Sequence, residues 1–362
     1  MVKPYVMESK LQFNFGTQQI ILRKIAAIDA FQSRWKVEQA DEQVFLRQMK
    51  GEAMVESTGS STRIEGSTLT NPEVESVLKN MKVMQLKSRD EQEVVGYYEV
   101  LELILAEYHD IPLTESYIGQ LHGILLRHSA KDQRHRGAYK SLSNQVVATS
   151  PGGTQKIVFN TTPPHLTPVA MNDLVVWSNQ TFKADELHPL LVIAVFVYEF
   201  LSIHPFQDGN GRLSRLLTTL LLLQRDYDFI QYTSFEQLIE ERKRDYYRAL
   251  MDGQQKRDQE GEIIDRWIVF FLDCLLTLTQ RLTEKRSTYF ALKGYLNERQ
   301  KRLLETIKTE IAVQIADLLR IHPDIPRATL KRDLSILVER RLLVQVGRGR
   351  GVRYFVAETA GE

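Results

Sequence analysis

The run 187–203, LHPLLVIAVFVYEFLSI, restricts this chain more than any other stretch. It approaches membrane length, yet His188, Pro189 and Glu199 interrupt it. The next apolar run, 216–223, is too short to span a bilayer. Both runs read as buried helices of a large helical core. The segment that follows the first run has the opposite character. HPFQDGNGR, residues 204–212, packs a His, an Asp, an Asn, two glycines and an Arg into one short loop. Joining two helices needs one or two turn residues, so the rest of this loop calls for another explanation.

The residue types suggest one. Gly209 and Gly211 flank Asn210 just ahead of the apolar helix RLSRLLTTLLLLQR. Backbone N–H groups at a helix start form an anion site, and glycines let an anion approach closely. Asp208 would repel that anion unless a cation lay between them, and Mg2+ is the usual one. Arg212 and Arg215 stand in the first turns of the helix, where its dipole disfavours cations. Their placement implies an anion for them to meet, most simply a polyphosphate. His204, at the other end of the loop, titrates near neutrality and can take a proton from a hydroxyl. The plain alternative is a helix-linking turn with an incidental His. The coincidence of so many functional residue types with one helix start disfavours it.

HPFQDGNGR with Leu213, Ser214 and Arg215 resembles the Fic motif, H-P-F-x-(D/E)-G-N-G-R-x-x-R, at every specified position. The resemblance spans roughly 45–280 and implies a protein adenylyltransferase. In it, AMP passes from ATP to a Tyr, Thr or Ser hydroxyl of a target protein or of the enzyme itself. By this resemblance His204 is the general base, Asp208 binds Mg2+, and Gly209, Asn210 and Gly211 form the anion hole. Arg212 and Arg215 hold the outer phosphates. A β-hairpin flap, here with Val146, Val147 and Ala148, clamps the target by strand addition. Tyr246 and Tyr247 fall where the family places tyrosines near adenine; Gln254 stands where an Asn is common. Related phosphotransferases carry a lysine at the second glycine, and this chain keeps Gly211. The resemblance also suggests a homodimer.

A second signal lies upstream, in STRIEG, residues 61–66. Ser61 and Glu65 share a helix face, and Gly66 suits a C-cap. A surface helix end is the plain reading. The Fic resemblance implies instead an inhibitory helix, (S/T)-x-x-x-E-(G/N), whose Glu65 pairs with Arg215 and keeps the triphosphate from seating productively. Glu65 is also the one evident group that could orient water for removal of AMP.

The remaining organisation is mainly α. Helical periodicity covers 41–57, 72–86, 90–109, 114–129, 168–182, 187–203, 211–225, 235–252 and 262–285. Two β-type runs surround Pro-Gly-Gly within 140–162. We divide the chain into an N-terminal helical region, 1–88, with the inhibitory helix at about 57–66, a catalytic core, 89–285, and a C-terminal module, 286–362. A single cysteine, Cys274, and no visible signal peptide lead us to expect a cytoplasmic protein with no membrane association. His122, His128, His165, His188 and His322 lack metal-ligand spacing. Lys140 carries no assigned role.

From Arg299 to Arg353 there are 13 Lys/Arg against 6 Asp/Glu, although the whole chain carries only +1. Three short helices, 301–309, 311–321 and 327–340, and two β-type runs around a Gly/Arg turn describe a winged helix-turn-helix. Arg327, Lys331, Arg332, Arg348 and Arg350 are candidate DNA contacts. The same module can serve protein docking. A nucleotide-sensing, DNA-binding regulator is therefore the rival to the enzyme reading.

Overall fold

The computed structural model describes residues 10–38, 43–83, 85–149, 155–254, 257, 262–293, 296–309, 313–339, 342–347 and 351–357. These residues fall into two compact units that divide after Arg281.

The first unit is helical apart from one hairpin. Its helices are α1 (Phe15–Glu38), α2 (Gln43–Ile64), α3 (Asn71–Asn80), α4 (Arg89–Glu107) and α5 (Glu115–Leu125). After the hairpin β1 (Gln145–Thr149) and β2 (Gln155–Asn160) come α6 (Thr167–Ala184), α7 (Pro189–Ile203) and α8 (Asn210–Leu223). Then follow α9 (Phe235–Glu241), α10 (Lys243–Gln254) and α11 (Asp265–Lys293), which continues past the division. Helix α11 thus runs into the segment taken from sequence as the start of the C-terminal module, 286–362. Helix α1 was not anticipated, although Ile21, Ile25, Ile28, Phe31 and Trp35 recur at helical spacing and are all buried. The expected helix 235–252 is two helices, broken at Arg242.

Helix α7 lies at the centre. Every residue from Leu190 to Ile203 except Leu191 is buried, as its unbroken apolar sequence requires. Pro189 starts it, and the His188 side chain accepts a hydrogen bond from Leu190 N. Glu199 is the exception to its apolar character. Burial alone would raise its pKa, but Arg257 and Lys10 pull it down to about 2. Lys10 and Arg257 ion-pair with it, and Lys10 also reaches Glu262. A capping box of Thr70 and Glu73 opens α3.

The hairpin is antiparallel, with a bulge between Val146 and Val147. Its Pro-Gly-Gly turn lies outside the described residues.

The second unit contains α12 (Glu298–Thr309), β3 (Val313–Gln314), α13 (Ile315–Ile321), α14 (Arg327–Glu339), β4 (Leu343–Val346) and β5 (Arg353–Val356). Its antiparallel sheet has the order β3-β5-β4. The two-residue β3, unmarked in sequence, pairs with the last strand and ties the helices to the hairpin. Leu303, Ile307, Leu318, Leu330, Leu334, Leu337 and Leu343 form the core.

Candidate active site

Helix α7 delivers His204 to the site. A residue before proline is disfavoured in the α region, and Pro205 cannot continue a helix, so α7 must end here. His204 caps it in the left-handed conformation, φ 52° and ψ 60°. That costs a non-glycine residue roughly 1 kcal/mol, a strain that the buried helix holds in place. His204 Nδ1 lies 3.3 Å from the Leu201 carbonyl. With Nδ1 donating there, Nε2 carries the lone pair. Burial, reinforced by the Lys140 charge, lowers the His204 pKa to about 4, so the ring is neutral at pH 7.

The loop is braced from within. Asn210 accepts from Phe206 N at 2.8 Å and donates to Phe206 O at 2.7 Å. Its side chain is therefore spent on loop shape, which leaves its backbone N–H for an anion. Gly209 takes φ 80° at the start of α8. Asp208 accepts from Gly209 N at 2.6 Å, Arg212 Nη2 at 3.0 Å and Lys131 Nζ at 2.9 Å, and Arg89 stands 3.7 Å away. Burial opposes ionisation of Asp208, but Arg212 and Lys131 outweigh it and hold the pKa well below the carboxylate range. Arg212 is 1% exposed. Its Nη1 lies 3.3 Å from Glu93 Oε2, yet Nη1 and Nε have no hydrogen-bond partner among the described residues. A buried guanidinium with unspent donors suits an anionic ligand.

Arg215 is already occupied. It donates from Nε to Ser61 Oγ at 2.8 Å, and from Nη2 to Ser61 O at 3.0 Å and Glu65 Oε1 at 2.8 Å. Helix α2 ends one residue before Glu65. Gly66, at φ 111°, lets Gly66 N reach Arg63 O and Ser67 N reach Thr62 O, a Schellman end that aims Glu65 back at Arg215. Burial by itself would raise the Glu65 pKa, but Arg215 holds it below the ordinary value.

Ser61, Glu65, Gly66, His204, Asp208, Gly209, Asn210, Gly211, Arg212 and Arg215 thus converge on one loop. Tyr246 is buried and packs edge-on to Tyr247 and Trp267. Gln254 donates to Ser202 Oγ on α7. Val146, Val147 and Ala148 lie on β1, opposite Phe159, Ile157 and Lys156.

Two supporting residues were given no role from the sequence. Lys140 is 3% exposed and donates to Asn144 Oδ1 (2.8 Å), Thr161 Oγ1 (2.8 Å) and Ile203 O (2.9 Å). It staples both roots of the hairpin to the end of α7. Burial lowers its pKa to about 8. His122 is fully buried and stacks on Phe206 at 3.8 Å. Its Nδ1 accepts from Gly137 N at 2.8 Å, so Nε2 donates to Asp208 O at 3.0 Å. A position following Gly-Ala-Tyr was the available hint for Lys140; nothing in sequence marked His122.

In the second unit Arg327, Lys331 and Arg332 are exposed on α14, while Arg348 and Arg350 lie outside the described residues.

Residues 112–222 match the profile of the Fic/DOC family. The chain is 29% identical to the protein adenylyltransferase Fic of Drosophila willistoni over 70% of its own length and 46% of the relative's. It therefore spans less than half of the curated relatives it matches. A Fic family protein from Desulfovibrio desulfuricans shares its fold with TM-score 0.65, at 24% identity, over 95% of this chain and 97% of that one. A Fic domain containing signaling protein from Bacteroides thetaiotaomicron aligns with TM-score 0.58 at 25% identity, over 72% and 97%. With its motif loop assembled as described, the segment 112–222 is similar to the Fic/DOC family, and the likeness is carried by the region that holds the loop.

Proposed function

We propose that this chain is a protein adenylyltransferase that moves AMP from ATP to a Tyr, Thr or Ser hydroxyl of a target protein or of itself, and that Glu65 restrains it in cis. The carrying observation is a neutral His204 with a free Nε2 at one end of the loop whose other end holds the buried, partly unpartnered Arg212.

The target hydroxyl loses its proton to His204 Nε2 as its oxygen attacks the α-phosphorus. The bond from that phosphorus to the bridging oxygen breaks, and pyrophosphate leaves. Backbone N–H groups at 209–211 and the Arg212 and Arg215 guanidiniums stabilise the charge on the phosphates. In-line transfer needs little else beyond positioning. No described group of three or more His, Cys, Asp or Glu could hold a metal alone. Mg2+ shared between one carboxylate and nucleotide phosphates needs no such group, and ionised Asp208 fits as that carboxylate. When bound there, Mg2+ would neutralise phosphate charge. The flap, by adding a strand to the target, would supply register with little side-chain preference.

The test is label transfer to the protein itself or to a lysate. Transfer from α-labelled but not γ-labelled ATP is expected. Transfer from the γ position alone would establish a kinase-like orientation instead.

A second reading, duplex DNA binding by residues 282–362, is favoured by the exposed Arg327, Lys331 and Arg332 opposite buried Leu330, Leu334 and Leu337 on α14. The full chain would then bind duplex DNA with a steep salt dependence that weakens in Lys331→Glu/Arg332→Glu. No described helix is long and apolar enough to cross a membrane.

A further inference from the structure

The last two turns of α2 are held by more than Arg215. Hydrogen bonds lead away from the site around them. Arg215 donates to Ser61 Oγ. One turn earlier, Ser57 donates to Ser234 Oγ at 3.0 Å, and Ser234 lies 3.3 Å from Glu236 Oε2. Tyr97 on α4 donates to Glu236 Oε1 at 2.8 Å. The Ser57 path and the Tyr97 hydroxyl thus meet on Glu236, which is 1% exposed.

Two further contacts grip the residues just before Glu65. Arg63 forms a fork with Glu240, Nε to Oε1 at 2.8 Å and Nη2 to Oε2 at 2.9 Å. The same guanidinium holds Leu69 O and Ser60 Oγ, each at 3.0 Å, so it also fixes the turn beyond Glu65. Lys243 Nζ donates to Ile64 O at 2.7 Å. That carbonyl is one of the orphan acceptors of the α2 C-terminus, where a cation is favourable. Among the described residues, Ser234, Glu236, Glu240 and Lys243 make no hydrogen bond or ion pair to residues 204–215.

We infer that the segment 234–243 is a latch for the inhibitory turn, with Glu240 and Lys243 as the positioning residues that set how often Glu65 leaves Arg215. This rests on the reading of Glu65 as inhibitor and adds what controls it. The geometry separates the two functions. The motif loop performs transfer, and 234–243 grips only the element that blocks it. A partner or modification acting on this segment could therefore release the enzyme without touching the catalytic residues.

The test uses the full chain with Glu240→Gln and Lys243→Met. A half-buried ion pair, or a cation at a helix C-terminus, shifts an equilibrium by about two- to fivefold. Each variant should raise AMP incorporation by about that factor, and neither should add to the gain of Glu65→Gly, because the latch acts only through Glu65. Hydrogen exchange at the amides of 65–67 should accelerate in both variants. Swapping the pair, Arg63→Glu with Glu240→Arg, should restore the slower exchange and the lower rate only in part, because the exchanged carboxylate cannot donate to Leu69 O and Ser60 Oγ. Unchanged exchange at 65–67, or full additivity with Glu65→Gly, overturns the latch. If Glu65→Gly itself leaves the rate unchanged, the inhibitory reading fails, and exchange at 65–67 still decides whether 234–243 holds the turn.

Discussion

Arg215 Nη2 lies 2.8 Å from Glu65 Oε1, across 150 residues of sequence. A guanidinium expected to meet a triphosphate is thus already neutralised by the chain itself. Its Nε and second Nη2 contact go to Ser61, so one turn of helix occupies most of the fork. Replacing Glu65 with glycine should free it. AMP incorporation by Glu65→Gly is expected to rise roughly tenfold or more, by analogy with a carboxylate–guanidinium contact of charged hydrogen-bond strength. His204→Ala in the same background should abolish it. A folded Glu65→Gly protein with an unchanged rate would remove the autoinhibition.

Gly211 and Glu65 compete for one space. A Cβ at Gly211 would overlap Glu65 Oε1 and come within 3.3 Å of Arg215 Nη1. Because the carboxylate is the far end of a flexible side chain, Gly211→Ala should displace it. It should also crowd the anion nest. Expected is loss of inhibition without gain of rate: Gly211→Ala/Glu65→Gly should fall at least about tenfold below Glu65→Gly. ATP affinity measured by calorimetry should weaken in parallel.

Acid behaviour follows from His204. Its folded pKa, about 4, lies below the ordinary histidine value. The base stays neutral until the pH nears 4, so the acid limb of the Glu65→Gly rate should lie well below ~6.5. Between those values the unfolded chain binds a proton that the folded chain does not. Stability should therefore fall as the pH drops through that window, and His204→Ala should lessen the fall in denaturant titrations.

Lys140 sets the alkaline side. Its pKa of about 8 means that it loses a proton, and with it one of three donated hydrogen bonds, at mildly basic pH. The flap roots and the end of α7 should then loosen. The Glu65→Gly rate is expected to decline above about pH 8, and Lys140→Arg should move that decline upward because arginine does not titrate there. The linkage sign is opposite to the functional one. From about 8 to ~10.4 the unfolded chain holds the proton that the folded chain has lost, so stability rises with pH in that window.

His122 should matter without touching substrate. Truncation to Ala removes a stacked ring beneath Phe206 and leaves the Gly137 N–H and Asp208 carbonyl without their partner. A loss of about 2–4 kcal/mol in thermal or denaturant unfolding is expected. The remaining folded protein should show a lower kcat, because Asp208 and Gly209 lose their brace.

Much of this protein was legible in one dimension. The apolar run 187–203 could only be a buried helix, and HPFQDGNGR could only follow it as a loop, because Pro205 stops the helix and Gly209 permits the next one to start. The hairpin runs and the capping box at Thr70 also depend on residues close in sequence. Errors arose where local signals were weak or absent. Helix α1 has the right spacing but flanks that resemble a tail. The break at Arg242 and the two-residue β3 have no propensity signature; packing and strand pairing decide them.

The site divides in the same way. Its motif residues are contiguous, so their chemistry could be argued from residue type and from a helix start. Its supports come from afar: Lys140 from the approach to the flap, His122 from α5, and Glu236, Glu240 and Lys243 from a segment that grips α2. Hydrogen bonds and burial between distant elements depend on the fold, and only the fold could give a buried lysine three acceptors or a neutral histidine a carbonyl to hold. Sequence alone determined which chemistry this chain carries. Tertiary structure decided what occupies Arg215 and what grips the turn that holds Glu65, because groups far apart in sequence interact only once they are packed against the same loop.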